Sequence, residues 1–330
     1  MTKKVKVLHE TDLRPKKLSE YIGHKNIVKT LRLFIDAVKK RGTASEHLLL
    51  YGPPGLGKTT LAYVIANELS GELKITSGAA VTKAGDLAAI LTNLKDNDVL
   101  FIDEIHRLPK QVEEMLYPVM EDYSLDIVIG KGPSARTLRL SVPHITIVGA
   151  TTKLALLSAP LRDRFGLVLR IEFYNIGEIK LIVKRTGKIL GIPITEKAVD
   201  EIAKRARRTP RIANRILKRA RDMYEVGKID TLDEVVTGKL FELLEIDQIG
   251  LTLIDRNYLL LLADKFQNNA VGLDTIAMSM SEDPKTIEEF IEPYLLQIGF
   301  IKKTVRGRVV TERGLQYLGI KTKINQGKLI

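Results

Sequence analysis

The chain of 330 residues contains no cysteine, which excludes disulfides and thiolate metal sites and fits a cytosolic protein. Its five histidines are scattered, and no pair has the spacing of metal ligands. No apolar run approaches the length of a membrane span. The N-terminus, "MTKKVKVLHETDLRPKK", carries charge and no apolar signal core. These absences predict a cytoplasmic protein with no membrane partner. Positive charge is what the chain has in surplus: 52 Lys and Arg against 40 Asp and Glu give a net charge of +12. Such an excess favours a polyanionic partner, nucleic acid before others. The length exceeds one typical domain and predicts two or three compact units, with 45% hydrophobic residues available for their cores.

From about residue 20 to 174, short apolar runs alternate with helical patterns. "HLLLY", "DVLFID", "ITIVGAT" and "VLRIEFY" have the character of strands buried in a parallel sheet, and "TTLAYVIANEL" and "VEEMLYPVMED" are amphipathic helices between them. That alternation predicts an α/β layered domain. Ser124–Val142 interrupts it with period-2 alternation on either side of Gly-Lys-Gly-Pro, the pattern of an inserted β-hairpin. From Gly177 to about Ile246 the apolar spacing is helical throughout, a small bundle. Beyond Asp247, helices are followed by "FIKKTV", Arg306-Gly307 and "RVVTERG", the order of a winged helix-turn-helix. The tail "KTKINQGKLI" is polar and expected to be loose.

Gly52-x-x-x-x-Gly57-Lys58-Thr59 fits the Walker A pattern and lies between a predicted strand and a predicted helix. Glycines at 52, 55 and 57 free the backbone amides to face phosphates, and the helix N-terminus adds its positive dipole end. Lys58 is expected to neutralise the β- and γ-phosphates of ATP, and Thr59, followed by Thr60, to offer a hydroxyl to Mg²⁺. "DVLFIDEIH" supplies a second strand ending in acids. Asp103 is expected to hold Mg²⁺ through water, and Glu104 to act as general base toward the attacking water.

The succession "GPPGLGKTT", "DEIH", "GATT", "LRDRFG" and "TPRIANR" resembles an AAA+ ATPase. With "KAGDLAAILTNL", "EDYSLDIVIGKGPSARTL" and "PYLLQIGFIKKTVRGRVVTERG" added, the chain resembles the RuvB family of Holliday-junction branch-migration motors over roughly residues 13–320. The resemblance implies an AAA+ P-loop domain with an inserted hairpin over 1–174, a small helical lid over 175–246 and a winged-helix DNA-binding domain over 247–330. It implies an ATP-hydrolysing hexameric ring on duplex DNA and four-way junctions, active in recombination and repair. A RuvA-like junction-binding protein is its implied partner, and a RuvC-like resolvase is admitted as another.

The same resemblance distributes further roles. Thr152, with Thr151 beside it, would sense the γ-phosphate, although a strand-end hydroxyl also satisfies backbone groups. Arg164, with Arg162 near it, would be the finger that enters a neighbouring subunit's site; a guanidinium fork suits charge spread over phosphoryl oxygens. Arg211 would be a second sensor. Thr209 can cap that helix and Pro210 suits its first position, so a cation in the first turn opposes the dipole and calls for an anionic partner. Arg215, Lys218, Arg219 and Arg221 on the same helix read as a solvated face. Leu13, Arg14, Tyr21, Ile22 and Tyr174 would surround the adenine, residues that also simply seal interfaces.

The winged helix has an acidic candidate recognition helix, with Glu288, Glu289 and Glu292 where a major-groove reader wants Arg, Asn or Lys. Lys302, Lys303, Arg306, Arg308 and Arg313 gather instead on the wing, which predicts backbone binding with little sequence readout. The resemblance assigns DNA contacts to Arg308 and Arg313. It also makes the inserted hairpin the docking site for the RuvA-like protein, where Ile127 and Ile129 either anchor the partner or pack on their own domain. Two alternatives stay open at this level: a clamp-loader-like or initiator-like switch, and a winged-helix regulator gated by nucleotide.

Overall fold

The computed structural model describes residues 10–42, 45–129, 136–227 and 229–320; for Glu10, Thr11, Val128 and Ile129 the description is of backbone only. The N-terminal basic stretch and the polar tail lie outside the described residues.

The chain divides into two compact units. One runs to Ile194 and includes Arg208–Val226; the other holds Thr195–Arg207 and continues from Gly227. In the first, Leu48–Tyr51 (β1), Leu73–Ser77 (β2), Val99–Asp103 (β3), Thr146–Thr151 (β6) and Leu167–Arg170 (β7) form a parallel sheet in the order β2-β3-β6-β1-β7. β1, β3 and β6 are sealed on both faces, which is why they read as unbroken apolar runs. β2, "LKITS", is an edge strand that the sequence pattern does not announce, because it is half polar and Ile75 stands in solvent. Ser124–Ile129 (β4) and Arg136–Ser141 (β5) make the expected antiparallel hairpin, in a separate two-stranded sheet.

Helices flank the sheet: Lys25–Arg41 (α1), Lys58–Leu69 (α2), Ala84–Leu91 (α3), Lys110–Asp122 (α4) and Ala159–Asp163 (α5). α1 buries Leu31, Ile35 and Val38, the 3.6-residue stripe of an amphipathic helix, and ends at Gly42 in the left-handed conformation. Ile176–Leu190 (α6) opens with a reciprocal cap. The Glu178 amide donates to Asn175 Oδ1 at 2.8 Å, and the Asn175 amide to Glu178 Oε2 at 2.9 Å. Glu196–Arg205 (α7) belongs to the second unit, and Pro210–Glu225 (α8) to the first.

One buried base fastens the first unit. His47, just before β1, accepts the Ile147 amide at Nδ1 (3.0 Å), so Nε2 carries the proton and donates to the Met120 carbonyl (3.1 Å). The ring ties β1, β6 and the end of α4, and burial pushes its pKa down to about 4.

The second unit continues with Glu234–Leu243 (α9), Leu253–Leu260 (α10), Leu273–Met280 (α11), Pro284–Thr286 (α12) and Glu292–Gln297 (α13). Ile301–Thr304 (β8) and Gly307–Val310 (β9) follow, then Glu312–Tyr317 (α14). A π-turn over Ile287–Ile291 joins α12 to α13, so the recognition segment is not one uniform α-helix. Its core gathers Tyr258, Leu259, Leu262, Ile276, Ile287, Ile291, Leu295, Phe300, Ile301 and Val310. β8 and β9 pair antiparallel as the wing.

Candidate active site and basic wing

The loop after β1 turns through Gly52, Gly55 and Gly57, all at positive φ. At Gly52 no side chain fits, since a Cβ would stand 2.1 Å from the Ile171 carbonyl oxygen. The strand register sets that closeness, because the Ile171 amide bonds Tyr51 O at 2.7 Å. Lys58 is only 7% exposed, and its Nζ donates to Gly52 O (2.8 Å) and Pro53 O (3.0 Å). Burial lowers its pKa, opposed by Glu104 and Asp103. The ammonium is thus parked on neutral carbonyls inside the loop.

A cleft of about 360 Å³ opens over this loop, lined by Gly55, Gly57, Lys58, Thr59, Thr60, Asp103 and Glu104 on one side. Leu13, Arg14, Tyr21, Ile22, Tyr174, Pro210 and Arg211 complete it, so most sequence-predicted nucleotide residues meet in one place. Tyr21 and Tyr174 join hydroxyls at 3.0 Å, and Tyr174 donates to Leu56 O at 3.2 Å. Burial pushes Tyr21 up to about 12, and Tyr174 higher still. The Arg14 guanidinium lies 4.6 Å from the Tyr63 ring centre, over α2.

α8 begins against the P-loop: the Arg211 amide donates to Gly55 O at 3.4 Å, and a Cβ on Gly55 would meet Arg211 Cβ at 3.2 Å. Pro210 takes the first helical position as expected. Thr209 stands at the N-cap, but its side chain makes no capping bond, a correction to the sequence expectation. Two polar cleft residues were not read from the sequence. Arg185 donates to Leu13 O (2.7 Å) and Glu20 O (3.3 Å), tying α6 to the N-terminal segment, while Asn214 accepts from Thr186 Oγ1 at 2.9 Å. No local motif marks Arg185, and Asn214, although it lies within "TPRIANR", was given no role there.

At the end of β3, burial raises the pKa of Asp103, the neighbouring Glu104 carboxylate adding to it; the Glu104 amide bonds its Oδ1 at 3.0 Å. Glu104 itself has φ 45°, a left-handed conformation costly for a residue that carries a Cβ and common at working sites. Its Oε2 accepts from the Thr152 amide (3.2 Å) and Thr152 Oγ1 (3.0 Å). His106 Nδ1 lies 3.1 Å from the same oxygen and 2.8 Å from Thr151 Oγ1. The residue just past β6 is therefore bonded directly to the acid just past β3, a link across 48 positions.

Arg162 and Arg164 are not among the described residues lining this cleft. Arg162 Nε faces Asp163 at 3.7 Å. Arg164 ends α5, whose first turn is capped by Ser158, and its guanidinium rests on Pro160 O (2.8 Å), Glu121 (3.1 Å) and the Tyr117 ring (4.2 Å to centre). Tyr117 in turn donates to Glu113 at 3.0 Å, and Ser158 also bonds Glu113. This set fixes Arg164 on the surface of α4, with about a quarter of its side chain exposed.

On the hairpin, Ile127 is half-buried against the α/β core; the side chain of Ile129 lies outside the described residues. Leu125, Leu140, Ile127 and Leu138 occupy one face by register, and exposure rises outward to 45% at Leu138.

In the wing, Arg306 and Arg313 are exposed, Arg313 lying 5.8 Å from the Phe300 ring centre. Arg308 is not outward-facing as the sequence suggested: its Nε donates to Glu292 at 2.7 Å, and only 14% of its side chain is exposed. Glu292 is likewise no groove-facing acid but fully buried. Helical spacing identifies a non-core face; it does not tell whether that face meets solvent or the wing.

Residues 13–171 match the family model described as the Holliday junction DNA helicase RuvB P-loop domain. Residues 174–247 match the RuvB AAA lid domain, and 248–319 the RuvB C-terminal winged helix domain. The Holliday junction branch migration complex subunit RuvB of Fusobacterium nucleatum is 53% identical over 308 residues, 93% of each chain. The solved Thermotoga maritima RuvB Holliday junction branch migration motor is similar at a TM-score of 0.83 and 46% identity, over 94% of this chain and 99% of that one. A substituted form of the Thermotoga protein gives a TM-score of 0.85 at the same identity and coverage.

Proposed function

The chain belongs to the RuvB family of Holliday-junction branch-migration motors, P-loop ATPases, and from that membership we propose that it drives duplex DNA through a four-way junction by hydrolysing ATP. The observation that carries the reading is the convergence of Lys58, Asp103, Glu104 and Arg211 on one cleft within one compact unit. Lys58 leaves its two carbonyls for the β- and γ-phosphates, an exchange of neutral acceptors for charged ones. The adenine lies among Leu13, Arg14, Tyr21, Ile22 and Tyr174, with Pro210 and Arg211 closing over the phosphates. Glu104, oriented through Oε2 by Thr152, takes the proton of the attacking water as its oxygen bonds the γ-phosphorus and the bond to ADP breaks.

Among the described residues no cluster of three acidic, histidine or cysteine side chains could hold a metal alone. A half-buried carboxylate at Asp103 and the Thr59 hydroxyl, lining the same cleft, fit Mg²⁺, which keeps its waters and takes its remaining ligands from phosphate. Held there, Mg²⁺ would neutralise charge on the transferring phosphoryl group.

Arg164 stands clear of its own cleft, about a quarter exposed at the end of α5, so we assign it to the site of a neighbouring copy in a hexameric ring, with Arg162 beside it. Hydrolysis then depends on assembly. We read 1–174 as the ATPase domain, 175–246 as the lid and 247–330 as the DNA-binding domain, with Arg306 and Arg313 contacting phosphates without sequence choice. The outer part of the hairpin's apolar stripe, Ile127 and Leu138, is the docking face for a RuvA-like protein. A RuvC-like resolvase would act on the same junction, in the cytoplasm.

The test is a synthetic four-way junction with ATP, with and without a RuvA-like protein. Duplex products should appear only with ATP and rise with the partner; the Lys58→Ala protein should give none. Products formed equally without ATP would overturn the reading.

A further inference from the structure

The side chain of Glu104 is held by one oxygen. Oε2 accepts from the Thr152 amide (3.2 Å) and the Thr152 hydroxyl (3.0 Å), and His106 Nδ1 lies 3.1 Å from the same atom. His106 stands two residues after Glu104, on the short 3₁₀ turn Ile105–Arg107, which the Glu104 carbonyl opens by accepting the Arg107 amide at 2.9 Å. That turn has little room to shift. Ile105 is fully buried, and Gly78 packs so closely that a Cβ there would stand 2.5 Å from the Glu104 carbonyl oxygen. The imidazole is about a tenth exposed and the carboxylate about a third. All of these residues belong to the first compact unit.

The polarity of the His106 contact follows from its neighbours. Nδ1 is also 2.8 Å from Thr151 Oγ1, which accepts the Lys153 amide at 3.0 Å and keeps one proton of its own. Two arrangements are open to these groups. If Nδ1 is bare, it accepts the Thr151 proton and sets a lone pair against Glu104 Oε2. If Nδ1 carries hydrogen, it donates to Oε2, with Thr151 Oγ1 as a second acceptor beside it. A general base is a carboxylate and only accepts, so a bare nitrogen 3.1 Å away would repel it, whereas a protonated one makes a charge-assisted bond. The second arrangement is the one that the distance fits. At Nδ1 it is the opposite of His47, where Nδ1 accepts and Nε2 donates.

We infer that His106 is a positioning residue for hydrolysis: its Nδ1–H holds Glu104 by Oε2 and so leaves Oε1 to the attacking water. This rests on the proposed role of Glu104 as general base. Among the described residues, Thr152 grips Oε2 from the end of β6 and His106 from the turn after β3, so the carboxylate is clamped between the two strand ends. Without His106 it is tied from the Thr152 side alone, and a base held from one side spends less time in line with the water.

The experiment reads turnover of the full-length protein with ATP and duplex DNA by phosphate release. His106→Ala should lower kcat about ten- to hundredfold and leave KM for ATP within about twofold, because a misplaced base costs rate and not binding. Asn puts an amide nitrogen where Nδ1 stood, and Gln puts one nearer to where Nε2 stood. His106→Asn should therefore return to within about threefold of the parent, and His106→Gln should stay as slow as the alanine variant. Indistinguishable Asn and Gln variants, a raised KM with kcat kept, or parental kcat in His106→Ala overturns the inference. A spectroscopic arm needs no turnover. In protein labelled with ¹⁵N at histidine, the Nδ1 resonance that disappears in His106→Asn should be of the protonated, pyrrole type, against a bare, pyridine-type Nδ1 for His47. A pyridine-type Nδ1 at His106 removes the bond to Glu104 whatever the rates. Parental turnover in Glu104→Gln would instead sink the general-base reading, and the ¹⁵N arm still decides whether His106 grips that side chain.

Discussion

The nucleotide cleft and the wing both concentrate cations, and they hold them in opposite ways. In the cleft, Lys58 rests on two backbone carbonyls, and Arg211 stands exposed in the first turn of a helix whose dipole opposes it. In the wing, Arg308 and Lys303 are bound to carboxylates, one of them without any exposed surface. A carbonyl gives up a cation readily to a phosphate. A buried carboxylate does not, because the charge left behind has no water to receive it. The partner a cation keeps at rest therefore sets what it costs to move that cation to a ligand. Arg164 is intermediate: it has a carbonyl, an aromatic face and the half-exposed Glu121, none of them a buried charge.

The contrast breaks most visibly at Lys58. Lys58→Ala should lower ATP turnover about 10³-fold in a phosphate-release assay, since nothing else in the loop can supply that charge; turnover within tenfold of the parent would mean the parked lysine is merely structural. Glu104→Gln should cost about 10²- to 10³-fold in kcat with ATP affinity kept within a few-fold, measured by turnover and by nucleotide titration. Loss of binding instead would make Glu104 a fold residue. His47 offers a third mode, a buried base held neutral. Above pH 6.5 both folded and unfolded chains leave it uncharged. Between pH 6.5 and about 4 only the unfolded chain takes up the proton, so stability should fall by about 3 kcal/mol across that window as pH drops. Urea titrations at pH 7, 5 and 4 check this, and His47→Gln should show a shallower decline. The smallest effect is expected from mixing. Arg164→Ala and Lys58→Ala subunits, each inactive alone, should together recover a few tenths of parental turnover, and no recovery at any ratio would remove the finger from the neighbouring site.

What the sequence made legible was whatever chemistry is contiguous. The loop from Gly52 to Thr60, the strand ending in Asp103 and Glu104, and the "GATT" strand end carry their meaning in adjacent residues, so the sheet and the phosphate end of the cleft could be read directly. Through-space partners could not. Arg185 reaches Leu13 across 172 positions and His106 reaches Thr151 across 45, and neither leaves a local pattern. β2 was hidden by being half solvated at the sheet edge, where alternation with lysine and threonine resembles a loop. The wing misled for a related reason. Glu288, Glu289 and Glu292 read as groove-facing acids of the recognition helix, but β8 and β9 fold back over Glu288 and Glu292 and pair them with Lys303 and Arg308.

The order in which the chain visits its two units has a mechanical consequence. α8 is entered from the second unit at Arg207–Arg208 and left toward it at Val226–Gly227, so it is a crossbar tethered at both ends, with its first turn lying on Gly55. Under the proposed function, a pull on the second unit would pass through the chain to both ends of a helix whose first turn lies on the loop between Gly52 and Thr60.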